Sequence, residues 1–254
     1  MPKRWTTVIL FVASLAFAPT PLRAETILCT RIVALPATIS TSGIFCLSGN
    51  LSTAMTFGNA IDIAADNVVL DLNGFRLDGL AAGAGTQVNG INVTDRKNVT
   101  IRNGTVRGFA AAIQVVDLTG ASRGHLIEEI RADRNTLFGM SIQGRGHVIR
   151  NNRVVATGGT TLLGPNGSAF GISVLGRETR VIDNDVIQMS KTGNGVTVGI
   201  LLDGVVDVLA VNNRITDADI GIQYSSGATG KFRDNLTSGV TTPFTGGTDA
   251  GNNN

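Results

Sequence analysis

Gly139-Met140-Ser141-Ile142 is a phrase that returns along most of the chain. Gly90-Ile91-Asn92-Val93, Ala112-Ile113-Gln114-Val115, Gly171-Ile172-Ser173-Val174, Gly199-Ile200-Leu201-Leu202 and Gly221-Ile222-Gln223-Tyr224 repeat it, and Ala60-Ile61-Asp62-Ile63 is an earlier copy. The starts lie 30, 22, 27, 32, 28 and 22 residues apart. The copies read small, apolar, polar, apolar, with Leu201 the one apolar residue at the third position, which is the period of a strand with one buried face. Recurrence at this interval is the mark of a stacked repeat, in which each unit buries its apolar face against its neighbours.

A second phrase recurs out of step with the first. It runs through Asn98–Gly104, His125–Ile130, His147–Asn152, Arg180–Asp185, Leu209–Asn213 and Lys231–Asn235, each a short β-rich run, most of them ending in Asn, Asp or Gly. Such residues tolerate the left-handed backbone of a sharp bend. One repeat therefore holds a strand, a connection, a second strand, a tight turn and a third strand, and stacked copies make an all-β, single-stranded parallel β-helix of about seven turns.

On these repeats the chain resembles right-handed parallel β-helix proteins of the pectin-lyase-like superfamily, of the bacterial exported type, over roughly residues 60–240. The resemblance is specific for fold; the superfamily holds lyases, hydrolases, epimerases, adhesins and proteins without known activity. The paired Asp-Asp and Gly-His-Gly of pectin hydrolases, the Asp-Pro-His-Asp of alginate epimerases and the Arg-x-Pro-x-x-Arg of pectate lyases are all missing.

Four segments follow. Residues 1–24 read as a secretory signal peptide, with Lys3 and Arg4 ahead of the apolar run Val8–Ala18 and a cut near Ala24. Residues 25–59 lack the repeat and are expected to cap the open end of the stack. Residues 60–240 form the β-helix, and 241–254 a C-terminal cap or loose tail. Without Lys3, Arg4 and Arg23, 18 Lys and Arg face 19 Asp and Glu, so the mature chain carries −1 rather than the +2 of the full sequence. That balance argues against nucleic acid and against an acidic membrane surface. No segment of the mature chain reads as a transmembrane span. Cys29 and Cys46 are the only cysteines; an even pair in an exported chain is expected to form a disulfide. A secreted or periplasmic monomer is the expectation.

The working surface is expected on the first sheet. Three connections there, 131–138, 156–169 and 189–198, are longer than the minimum, and insertions clustered on one face of a solenoid mark its binding side. The outward row Asn92, Gln114, Ser141, Ser173 and Gln223, with Gln143 and Asp203 two positions further on, suits hydrogen bonding to a polysaccharide. That face reads as lacking aromatics. Asp95 and Asp117 sit at one offset in adjacent turns, as a pair that binds Ca²⁺ or as caps of their turns. Asp203 and Asp219 are a second candidate pair. Stacked His125 and His147 read as a packed ladder, and Asn103, Asn151, Asn184 and Asn212 as a structural amide column.

Two functions compete. The first is a polysaccharide- or protein-contacting envelope module without catalysis. The alternative is a pectate-lyase-like lyase or epimerase acting on uronate polysaccharide, with Arg177, Lys191 and Asp203 as its catalytic candidates, aided by Ca²⁺. The missing hallmark motifs and the charge-poor face favour the first.

Overall fold

The computed structural model describes Met1 and residues 28–254, so the signal-peptide segment lies almost wholly outside the described residues. The rest is a parallel β-solenoid of about eight turns with a single short 3₁₀ turn at Leu80–Ala82. The alternating phrases form the first sheet: Asn59–Ile63, Asn89–Thr94, Ala111–Val116, Phe138–Arg145, Ala169–Arg177, Thr197–Val206 and the end of Arg214–Ser225. All pair in parallel, and the register runs Ile61, Ile91, Ile113, Met140, Ile172, Ile200, Ile222 without a slip. Each of these seven side chains is at most 1% exposed. At roughly 1.5–3 kcal/mol per buried aliphatic side chain, the column is a main source of cohesion.

The turn count differs from the seven legible repeats because the column extends at both ends. Ala37 pairs with Ile61 and Phe244 with Ile222. Neither carries the leading phrase: the positions before Ala37 and Phe244 are Pro36 and Pro243, where the seven repeats have glycine or alanine. The segment assigned to the cap contributes strands of its own, since Thr30–Ile32 pairs with Gly43–Leu47, and Gly43–Leu47 with Val68–Asp71. Cys29 and Cys46 are bonded to each other.

The glycines that open the first-sheet strands are there for room. A Cβ on Gly171 would come within 2.4 Å of the Gly199 carbonyl oxygen, and one on Gly139 within 2.4 Å of that of Gly171. Backbone-to-backbone approach of this kind leaves nothing that can yield.

At the Asn-rich corner each turn spends two residues. The first takes the left-handed conformation (Asn151 φ 54°, Asp183 φ 56°, Asn212 φ 53°, Asp234 φ 56°) and the second points inward. The buried amide column is therefore Asn152, Asn184, Asn213, Asn235 and the part-buried Asn253, joined side chain to side chain at 3.0 Å. This corrects the sequence expectation by one position at Asn151 and Asn212. Asn103 is likewise a left-handed bend residue (φ 60°). In an Asn-Asn or Asp-Asn pair, only the second residue has its amide aimed at the carbonyls of the neighbouring turns.

Candidate functional site

The outward polar row lies in register as expected: Asp62, Asn92, Gln114, Ser141, Ser173, Leu201, Gln223. Its middle is closed to solvent, however. Asn92, Ser141 and Ser173 are 8, 5 and 2% exposed. Asn92 donates to Asp62 at 2.8 Å, and the Gln114 amide leans 3.4 Å from Ser141 Oγ, so these short side chains are spent on their neighbours. Gln114, Gln143, Asp203 and Gln223 keep part of their surface accessible.

One edge of this sheet carries a wall of stacked connections. Thr192 Oγ1 accepts from the Gly167 amide at 2.7 Å, Asn166 Oδ1 from the Asn194 amide at 2.8 Å and Ser168 Oγ from the Val196 amide at 3.0 Å. These bonds tie the 156–169 and 189–198 connections together. The first also reaches three turns back, where the Thr161 amide donates to the Ala84 carbonyl. Beside this wall Phe138 and Phe170 stack, 5.3 Å between centroids, half-buried and outside the core. The sequence reading missed them because they precede the repeating phrase. One face of each ring is taken up by the other.

Lys191 belongs to this walled edge. Its ammonium contacts both oxygens of Asp219, at 2.8 and 2.9 Å. Partial burial pushes the Asp219 carboxyl up, but Lys191 and the Thr197 bonds outweigh it and hold the group below the usual carboxylate range. Arg177 lies at the other end of the strands, paired with Arg145. The two cations therefore cannot serve one reaction centre. Asp203 and Asp219 do not approach each other either: Asp203 pairs with Ser225, whose hydroxyl donates to it at 2.7 Å, whereas Asp219 is bonded to Thr197. The hydroxyls of Ser226 and Ser225 hold the Asp203 carboxyl below its ordinary value.

Asp95 and Asp117 stand in adjacent turns, and both serve as turn caps. Asp95 accepts the amides of Leu118 and Thr119 at 2.8 and 3.1 Å, and Asp117 accepts that of Ser122 at 3.0 Å. Among the described residues, no group of three His, Cys, Asp or Glu could hold a metal.

The accessible chemistry converges at the second edge of the sheet, opposite the wall. A cavity of about 380 Å³ opens there, lined by Asp117, Gln143, Arg145 and Arg177 over Gly144 and Gly176. The two glycines have φ of 119° and 133°, and a Cβ on Gly176 would meet the Gly144 carbonyl oxygen at 1.7 Å. Bare backbone is thus required for the floor. Gln143 and Arg177 were legible as site candidates; Arg145 was not, although the phrases Arg123-Gly124-His125 and Arg145-Gly146-His147 carried the signal.

The family model described as "Right handed beta helix region" matches residues 87–253. No curated protein matches the chain. Among solved structures, the Dettilon tailspike protein is similar in fold, with a TM-score of 0.52 at 13% identity, over 88% of this chain and 59% of that one. The present chain thus spans under two thirds of the tailspike's length. The catalytic domain of a GH87 alpha-1,3-glucanase in complex with tetrasaccharides aligns over 93% of this chain and 70% of that one, at 11% identity and a TM-score of 0.31. The likeness to the tailspike is one of fold.

Proposed function

The chain belongs to the right handed beta helix family, and on that scaffold we propose an exported module that contacts polysaccharide along the first sheet, acting as a binding surface rather than as an enzyme. The observation that carries this reading is the cavity at the second edge. Its amide, guanidinium and carboxylate groups come from successive turns and sit over a floor of bare glycine backbone. Because equivalent residues of a solenoid form rows along its axis, a linear ligand lying that way meets the same chemistry turn after turn. Gln143, Asp203 and Gln223 supply neutral and acidic hydrogen-bonding groups beside it, and the tied connections bound the sheet on the far side.

The cations Arg177 and Lys191 do not collect around a single point of this surface, since they lie at opposite edges. That separation supports contact without catalysis. The mature protein is taken to be a monomer in the periplasm or outside the cell, after cleavage near Ala24.

The test is binding to an immobilised panel of neutral and acidic polysaccharides. Gln143→Ala combined with Asp203→Ala is expected to weaken binding by about tenfold, from two lost hydrogen bonds, one of them charged. Asn151→Ala, at the far corner, is expected to leave binding unchanged. Wild-type affinity retained by the double variant would overturn the placement, and release of unsaturated uronates from any panel member would overturn the non-catalytic reading.

A further inference from the structure

Lys97, Arg123, Arg145 and Arg177 occupy one position in four consecutive turns. Lys97 bridges to Arg123 and Arg123 to Arg145, and Arg145 pairs with Arg177 in the strand register. Adjacent turns of a parallel sheet stand about 4.8 Å apart, so four cations form a straight column at the corner after the first sheet. The column ends at Arg177, where the register shifts and Val206 takes the next place.

Like charges placed directly opposite one another destabilise a sheet, and solenoids ordinarily relieve them with acids in the same row. Relief of this kind is visible elsewhere in the molecule: Arg102 pairs with Asp71, Arg107 with Asp78, Arg150 with Glu128 and Lys191 with Asp219. None of the four cations of the column makes a salt bridge or a side-chain hydrogen bond among the described residues. Arg123, Arg145 and Arg177 are exposed. The nearest acids are few and partly used: Asp66, in the turn before Lys97, accepts the Lys97 backbone amide, Asp117 accepts that of Ser122, and Glu178 lines the far side.

The column also has built flanks. The 380 Å³ cavity lies on its sheet side, and a second of about 450 Å³, lined by Lys97, Arg123, Arg145 and Glu178, lies beyond it; Arg145 borders both. Beneath the column the imidazoles of His125 and His147 are buried and neutral, so the positive charge resides entirely at the surface.

We infer that this column binds a linear acidic polysaccharide running parallel to the solenoid axis, with its carboxylates or sulfates bridged by the guanidinium groups. This rests on the polysaccharide-contacting reading and names the class of its ligand. Guanidinium presents paired donors that match a carboxylate or sulfate, and the column repeats them once per turn along the axis. Nucleic acid fits less well. Single strands are held by aromatic side chains on which the bases stack, and no aromatic residue lines either cavity. Duplex DNA carries charge far more densely than one row can match. The near-neutral balance of the whole mature chain hides this local row.

The experiment measures binding of the mature protein to polygalacturonate, alginate and chondroitin sulfate, with fully methyl-esterified polygalacturonate and amylose as uncharged chains and oligo-dT as a non-glycan polyanion. An acidic glycan should bind best and weaken as salt rises. Arg145→Ala with Arg177→Ala should lower that affinity by about tenfold or more, whereas Arg150→Ala, on the second sheet, should not. A neutral chain bound as well as the acidic ones, with the double variant unaffected, overturns the inference and leaves the polysaccharide reading standing. Oligo-dT bound as tightly as the best glycan overturns the glycan assignment. Silence across the panel overturns both.

Discussion

The imidazoles of His125 and His147 lie 4.8 Å apart between centroids, with 3° between their planes. Each uses Nδ1 to accept a backbone amide, from Val99 and from His125 respectively, both at 3.1 Å. His147 Nε2 faces the Gln143 carbonyl oxygen at 3.1 Å, and a carbonyl can only accept, so this nitrogen carries the proton. Protonating Nδ1 would set two N–H groups against each other. The pair joins the turns beneath the cation column and fixes the carbonyl of Gln143.

A pH dependence follows. Burial, with His147 adding its repulsion, lowers the His125 pKa to about 3, and burial lowers that of His147 to about 4. The unfolded chain titrates near 6.5, so between these values it binds protons that the folded protein refuses. Stability is therefore full above about pH 6.5 and falls with acidification. At pH 5 the loss is on the order of 2 kcal/mol for each ring. Urea midpoints at pH 7.5 and 5.0 should record it, and His147→Gln should reduce the slope. A midpoint that does not move over this range would contradict the neutral ladder.

Asn184 is a heavily used, fully buried member of the amide column. Its Nδ2 donates to the carbonyls of Ile149 and Ile182 and to Asn213 Oδ1, while its own Oδ1 accepts the amide of Asn152. Asn184→Ala would take the side-chain partner from the Ile149 carbonyl and the Asn152 amide, at about 1–3 kcal/mol each, while the Ile182 carbonyl keeps the Asn151 amide. A loss of about 3 kcal/mol or more is expected in chemical denaturation. Asn151→Ala alters only a left-handed bend and should cost about 1 kcal/mol. Equal losses from the two would refute the assignment of the column.

The Cys29–Cys46 bond closes a separation of 17 residues, worth about 3 kcal/mol on chain-entropy grounds. In a solenoid each turn contacts only its neighbours. Cys46→Ser with Cys29→Ser should therefore speed amide exchange in 30–71 and leave 180–233 unchanged. Uniform loosening along the whole chain would show that the disulfide is not local in its effect.

The solenoid was legible because its signal is redundant: seven copies of one alternating phrase specify strand, burial and register together. The ends were less legible, since Ala37 and Phe244 fill the core column without the phrase around them. Site residues were harder to read for a related reason. Alternation says that Ser141 and Ser173 face outward, but whether they reach solvent depends on the reach of Gln114 and the bulk around them. The cation column was present in the sequence as Arg-Gly-His, twice. The net charge of the chain averages away a row that only stacking assembles.

The most direct test of the ligand-binding account is amide hydrogen exchange with and without a saturating oligosaccharide of the acidic polymer that binds best. Slowed exchange is expected in 117–124, 143–146 and 175–178, the segments that build the cavity and the column. Protection confined to the Asn-rich corner at 150–153 and 181–185, or no protection at all despite binding, would contradict it.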